Sequence, residues 1–228
     1  MPPVADTRLV LASASPRRRR LLALLGLEYT TMSTDTEEDL DSPLVADPPA
    51  LAAALAREKA AAARAAGAYG PVLAFDTIVV HEGRVLGKPA DIAEAYEMLR
   101  SLSGRTHYVV TGVAVLPPGL AEAEAFAVTT PVRMRKLSEA DIDVWAGCGE
   151  LLGCAGAYNV ESHLAEVDAD QCFQNVAGLP LCHLYLALRR MRDALGTEEP
   201  GVPIGPCDAA RNTRCELGPR LIGEVPAE

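Results

Sequence analysis

The chain has 228 residues, 49% of them hydrophobic and 23% charged, and its 31 acidic against 21 basic side chains leave a net charge of −10. This is a globular composition with enough apolar residues for a substantial core. Its negative field repels anions, so an extended nucleic-acid or anionic-membrane surface is excluded and any anionic ligand must be gripped by local basic residues.

No stretch reaches the roughly 18 consecutive apolar residues of a membrane span, because the Ala-rich run from Pro49 to Tyr69 is broken by Arg57, Glu58, Lys59 and Arg64. The opening Met-Pro-Pro-Val-Ala-Asp lacks the basic n-region of a secretory signal, and a cytoplasmic protein is expected.

In chain order, Arg8-Leu-Val-Leu-Ala-Ser13 is a short apolar run that reads as a buried strand. Ser15-Pro16 then starts a helix, with Ser as N-cap and Pro at the first helical position. That helix carries Leu21, Leu22, Leu24 and Leu25 and stops at Gly26. After an acidic loop from Asp35 to Asp41, Asp47-Pro48-Pro49 opens a long helix ending near Gly67. Its alanines supply propensity but little bulk, which predicts close packing against a neighbour.

Val72 to Val80, then His81-Glu-Gly-Arg84, then Val85-Leu86 reads as strand, tight turn, strand. Asp91-Ile-Ala-Glu94 has the form of a capping box before a helix with Ala95, Met98, Leu99 and Leu102 on one face. Thr106 to Leu116 and Ala125 to Met134 are further strands across a Pro-Pro-Gly turn, and Ser138-Glu-Ala-Asp141 begins another helix. Gly178-Leu-Pro180 precedes a last helix reaching about Leu195. The mixed order of strands and helices predicts an α/β or α+β sheet protein. Residues 1–195 read as one catalytic unit, and 196–228, dense in Pro and Gly without apolar periodicity, as an irregular tail.

The six cysteines, Cys148, Cys154, Cys172, Cys182, Cys207 and Cys215, all lie in the second half and contain no Cys-x-x-Cys pair. They read as free buried thiols, with a zinc site that recruits His163 or His183 as the competing reading.

Three segments carry chemistry. In Ser13-Ala-Ser-Pro-Arg-Arg-Arg-Arg20, hydroxyls and guanidinium forks stand beside a helix N-terminus, whose unpaired amides and partial positive charge suit a phosphate chain. A solvated basic helix face is the plainer alternative. Four successive arginines point around the whole helix, so two at most are expected to face one ligand, Arg17 and Arg18. In Phe75-Asp76-Thr77, a carboxylate inside an apolar strand is costly unless it is paired, holds a metal, or sits at a strand end beside a cleft. Gly83-Arg-Val-Leu-Gly-Lys88-Pro89 is not a P-loop, because its glycine spacer is one residue short and Pro89 replaces the magnesium-binding hydroxyl. Lys88 can still present a point charge to a phosphate.

Of the acidic loop Asp35, Glu37, Glu38, Asp39 and Asp41, one member could join Asp76 at a magnesium ion, since hard cations take carboxylate and phosphate oxygens together. There is no Gly-x-Ser-x-Gly elbow or His-Glu-x-x-His pair.

Eight ordered segments, Leu11-Ala-Ser-Ala-Ser-Pro-Arg-Arg18, Ala56-Arg-Glu-Lys-Ala60, Asp76-Thr77, Leu86-Gly-Lys-Pro89, Leu102-Ser-Gly-Arg-Thr-His107, Thr111-Gly112, Ala155-Gly-Ala-Tyr158 and Val176-Ala-Gly-Leu-Pro-Leu181, together resemble the Maf family of nucleoside triphosphate pyrophosphatases, also called septum formation inhibitor proteins. The resemblance spans residues 8–195. It implies an α/β fold with an elongated, twisted mixed sheet flanked by helices, two lobes around a central cleft, and often a homodimer. It also implies hydrolysis of a nucleoside triphosphate to the monophosphate and pyrophosphate with a divalent cation, magnesium first, with manganese or cobalt as substitutes.

Carried over by motif, Asp76 resembles the proton acceptor that activates water. Ser13, Arg17, Lys59 and Lys88 resemble the phosphate-binding set, with Lys59 also a catalytic candidate and Ser15 and Arg18 further substrate-binding candidates, and Glu38 resembles the acidic partner of Asp76 at the metal. At the base-selecting positions, Arg17 and Thr77 match members preferring thymidine or uridine triphosphates, whereas Cys154 and Glu161 match the branch preferring 7-methyl-guanosine triphosphate. The resemblance further implies clearance of non-standard nucleotides and a link to division arrest. Two other readings stay open: a nucleotide sensor without turnover, and a division-associated binding protein that acts through its acidic surface and tail.

Overall fold

The computed structural model describes residues 8–33 and 43–223. The chain starts with β1 (Leu9–Ala12), α1 (Pro16–Ala23) and β2 (Tyr29–Met32). β1 is apolar throughout because it lies between two parallel neighbours, β2 and β3 (Val72–His81), and is buried on both faces. β2 was absent from the sequence reading. Its Tyr-Thr-Thr-Met has strand-forming side chains but sits half-exposed at the sheet edge, so neither an apolar run nor a clean alternation marks it.

Next come α2 (Pro48–Ala65), the hairpin of β3 with β4 (Arg84–Leu86), α3 (Ile92–Leu102), β5 (Thr106–Leu116), β6 (Glu124–Met134), α4 (Glu139–Ala146) and β7 (Ala165–Glu166). Glu82 and Gly83 both take positive φ in the β3–β4 turn, the geometry of a two-residue hairpin loop. The sheet order is β2-β1-β3-β5-β6-β7, parallel at β2-β1-β3 and antiparallel beyond, with β4 also on β3. The expected mixed α/β sheet flanked by helices is the one observed.

Successive β3 side chains alternate between faces. Val72, Ala74 and Ile78 pack toward α2, while Leu73 and Phe75 join the core formed with α1 and α6 (Leu181–Leu195). The alanine stripe of α2 does what its small side chains allow. Ala52 approaches β5 so closely that a Cβ on Gly112 would stand 1.9 Å from its carbonyl oxygen. Glycine at 112 is therefore what lets helix and sheet meet.

The helix starts follow their caps. Ser15, Asp47 and Asp91 accept from the amides of Arg18, Ala50 and Glu94. At Ser138 both halves of the capping box are made. At Asp91 the box is not closed, because the Glu94 carboxylate accepts from the Ala90 amide instead.

Two readings need correction. The segment after Gly196 is not irregular throughout: it carries α7 (Ile204–Arg211) and α8 (Leu217–Ile222). Helices of eight and six residues are too short to show periodicity, and they are set by contact with the body, with Cys207 and Gly218 buried and the Gly201 amide bonded to the Leu25 carbonyl at 2.8 Å. The cysteines are free, but Cys148 is exposed while the other five are buried. Among the described residues no helix is long and apolar enough to cross a membrane.

Candidate active site

β1 pairs with β3 only as far as Ala12 opposite Ala74, and β4 takes the same edge of β3 again only from Val79. Between them the β3 edge is left open, and the chain leaving β1 turns away into α1. A cleft of about 760 Å³ fills this gap. Openings where a sheet's strands part are common ligand sites in α/β proteins.

Asp76 is mid-strand, opposite Gly112 of β5, and not at a strand end as one sequence reading had it. It points to the α2 face, where Lys59 meets it. Lys59 Nζ donates to Asp76 Oδ1, with the two side chains only 13% and 1% exposed. Asp76 Oδ2 is buried, with no hydrogen-bond partner among the described residues. A buried carboxylate oxygen left unpaired is costly, and a ligand group or cation would relieve that cost.

Thr77, one residue on, faces the other side. Its hydroxyl accepts from Arg18 Nη2 at 3.0 Å and pairs with Thr111 Oγ1 at 3.0 Å. Thr111 in turn donates to the Asn175 carbonyl at 2.9 Å, and the Asn175 amide donates to Val109, Val128 and Thr130 across β5 and β6. The Arg18 guanidinium also donates to the Gly178 carbonyl at 3.0 Å and to Ser13 Oγ at 3.4 Å, and lies over Phe75. Gly178 has φ +96°, and a Cβ there would stand 3.3 Å from Arg18 Nε. The Gly-Leu-Pro turn is thus built around this arginine.

Ser15 and Ser13 line the start of α1, where the Ser15 amide donates to Ser13 Oγ at 3.2 Å. Arg17 faces the cleft, with Nη2 3.4 Å from Cys154 Sγ and Nη1 3.6 Å from Glu150. Burial pushes the Cys154 thiol up, and the nearby Arg17 charge opposes this. Arg20 also lines the cleft and pairs with Glu161, so three of the four arginines reach it, not two; Arg19 instead donates to the Ala14 carbonyl. Glu161 is held by an Asn159 cap, whose carboxamide oxygen accepts from its amide at 3.0 Å. Lys88 lines the same cleft.

Ser13, Ser15, Arg17, Arg18, Lys59, Asp76, Thr77, Lys88 and Glu161 therefore share one cleft. Glu38, expected at a metal, lies outside the described residues. Sequence reasoning missed Arg20 and Glu150, whose positions depend on the distant turns at 147–161. It also missed Asn175, a buried amide in a polar Gln-Asn step that gives no motif signal.

A parted sheet, a helix start bearing arginines and a sunken lysine–carboxylate pair define an α/β protein equipped to handle a polyphosphate. The chain belongs to the family of Maf-like proteins, whose family model matches residues 8–191. It is 45% identical over 184 residues to the dTTP/UTP pyrophosphatase of Moorella thermoacetica, covering 77% of this chain and 90% of that one. It is 43% identical over 201 residues to the dTTP/UTP pyrophosphatase of Anaeromyxobacter dehalogenans, covering 85% and 98%. A nucleoside-triphosphatase, dITP/XTP pyrophosphatase, from Mycobacterium abscessus superposes with a TM-score of 0.36 at 16% identity, over 57% of this chain and 75% of that one, and adds nothing to the assignment.

Proposed function

We propose that this chain is a nucleoside triphosphate pyrophosphatase that hydrolyses the anhydride between the α and β phosphates, releasing a nucleoside monophosphate and pyrophosphate. The relatives' activity supports this reading. The observation that carries it is the buried Lys59–Asp76 pair, with one Asp76 oxygen unpartnered among the described residues, in the same cleft as the basic start of α1.

In this reading the triphosphate lies along the α1 N-terminus. The Ser13 and Ser15 hydroxyls, the helix amides, Arg17 and Lys88 take up its charge. Arg18 is spent on Gly178, Thr77 and Ser13, so it holds the wall that carries the site. Asp76 orients a water and accepts its proton as the new O–P bond forms and the bridging P–O bond breaks toward pyrophosphate. Lys59 holds the carboxylate in place through its hydrogen bond to Oδ1.

A divalent cation fits beside Asp76, because its unpartnered Oδ2 is a hard donor and phosphate oxygens can complete the shell. Among the described residues no three His, Cys, Asp or Glu side chains are grouped to hold one ion. Asp76 would therefore share it with the phosphate oxygens of the substrate. Bound there, magnesium would neutralise the phosphate oxygens. At the base end Glu161 offers only acceptors, which suits the N1–H and amino group of guanine or the amino group of cytosine. Clearance of non-standard nucleotides and a link to division arrest belong to the same proposal.

The test is pyrophosphate release with magnesium across standard, methylated and deoxy nucleoside triphosphates, with Asp76→Asn as control. Release confined to a few bases is expected. No release with binding retained would leave the cleft as a sensor and overturn the reading.

A further inference from the structure

We infer that Thr111, buried beneath the cleft, is a positioning residue that fixes the Thr77 hydroxyl as a hydrogen-bond acceptor toward the nucleobase, so that the cleft selects a base presenting an N–H or amino group at that point. This deepens the proposed function and rests on it, since the ligand is a nucleoside triphosphate only in that reading.

Five residues close a ring: Asn175 in α5 (Phe173–Val176), Gly178, Arg18, Thr77 and Thr111. The Gly178 amide donates to the Asn175 carbonyl at 2.9 Å, while Arg18 Nε donates to the Gly178 carbonyl and Arg18 Nη2 to Thr77 Oγ1, each at 3.0 Å. Thr77 Oγ1 lies 3.0 Å from Thr111 Oγ1, which donates to the Asn175 carbonyl at 2.9 Å. A guanidinium only donates, a carbonyl only accepts, and a hydroxyl has a single hydrogen. The Thr111 hydrogen is committed to Asn175, so the hydrogen between the two threonines comes from Thr77. Were it to come from Thr111, that oxygen and the Asn175 carbonyl would face each other at 2.9 Å with no hydrogen between them. Thr77 Oγ1 also accepts from Arg18, which leaves it one lone pair and no hydrogen for a ligand.

The end of the ring that sets this direction is fastened to the sheet. Thr111 and Asn175 are fully buried, and the Asn175 carboxamide donates to the Val109 and Val128 carbonyls at 3.1 and 3.0 Å and to Thr130 Oγ1 at 3.0 Å. The carbonyl that takes the Thr111 hydrogen is therefore held in place.

What Thr77 meets is set by its neighbours. Thr77 and Val79 share one face of β3, with Thr111 and Val109 opposite them in register on β5. Thr77, Val79, Val109 and Val176 all line the cleft. Apolar side chains around one polar atom suit a flat base and not phosphate charge. The Asp76 carboxylate projects from the other face of the strand, so the two faces divide the substrate between chemistry and base reading. A base carbonyl placed against Thr77 would meet a lone pair, whereas an N–H or amino group is bound.

The test compares kcat/KM for triphosphates whose donors and acceptors are exchanged, uridine against cytidine and guanosine against adenosine, in the unaltered chain, Thr111→Val and Thr111→Ser. Valine keeps the branched shape in the strand, and the Asn175 carbonyl keeps the Gly178 amide, so no carbonyl is orphaned. It frees the Thr77 hydrogen to donate. The preference within at least one pair is expected to shrink about three- to tenfold, the worth of one hydrogen bond. Thr111→Ser, which restores the hydroxyl, is expected to keep the original preference. A ratio measured on one preparation does not depend on how much of it is folded. In a Thr77→Val background, Thr111→Val is expected to change the preference no further, because it acts only through Thr77. A common loss of kcat/KM for every triphosphate, or an equal shift with Thr77 already replaced, overturns the inference. A preference that changes only between ribo and deoxy forms of one base puts the ribose against Thr77 and overturns it too. Calorimetric binding of α,β-methylene triphosphates reads the same preference without turnover. Binding that follows Thr111 with no pyrophosphate released from the natural triphosphates upholds the role of Thr111 and overturns the pyrophosphatase reading alone.

Discussion

Lys59 and Asp76 on the inner wall of the cleft and Arg20 and Glu161 at its mouth are both cation–carboxylate pairs, but the first has side chains 13% and 1% exposed and the second 57% and 36%. At the mouth, water screens the charges and either partner can leave at little cost. On the inner wall neither can leave without stranding the other in a poorly solvated site, and an apolar pair of equal volume would serve stability as well. The inner pair is therefore explained by chemistry and the outer one by positioning or substrate selection.

The largest effect expected is on stability. Lys59→Met leaves the Asp76 carboxylate buried alone and is expected to cost about 3–5 kcal/mol in urea unfolding, while Lys59→Met with Asp76→Leu recovers most of it. Equal losses in the single and double variants would contradict the account of the inner wall. For the chemistry, Asp76→Asn is expected to lower kcat roughly a hundredfold or more with nucleotide binding nearly intact. Unchanged turnover would remove Asp76 from the mechanism.

A third pair, buried like the one on the inner wall, sharpens the comparison because it carries no formal charge. His107 Nε2 meets Tyr158 Oη at 2.7 Å, and burial lowers the histidine to about 4. The unfolded chain, at about 6.5, then takes a proton that the folded one refuses. Stability from this site is full above about pH 6.5 and is lost as pH falls toward about 4, by about 3 kcal/mol in all. Thermal unfolding across that range tests it, and His107→Phe should flatten the slope.

The smallest effect belongs to the mouth. A double-mutant cycle on Arg20 and Glu161 is expected to give a coupling of about 1 kcal/mol or less. Glu161→Gln is expected to shift base preference toward uridine or thymidine triphosphate, since an amide can also donate to a pyrimidine carbonyl. An unaltered substrate profile would confine Glu161 to holding Arg20.

Local signals made much of this legible. The apolar run of β1, the Ser15-Pro16 start, the Asp47 cap and the Ser138–Asp141 box each act over a few residues, so their meaning does not depend on the rest of the fold. The motif residues were legible because phosphate chemistry restricts which side chains can serve. β2 was not, because an exposed edge strand needs no apolar pattern.

By itself the sequence determined the helix starts, the buried strands, the anion-handling side chains and the impossibility of a P-loop, all of them consequences of nearest-neighbour geometry and side-chain chemistry. Tertiary structure alone decided that Asp76 sits mid-strand at an open sheet edge, that Arg18 holds the wall instead of facing a ligand, that Arg20 reaches Glu161, and that Cys182 and Cys215 meet at Gly218. Those facts depend on where one strand stops pairing and how closely two backbones approach, and contacts of such long sequence separation leave no periodic trace in the chain.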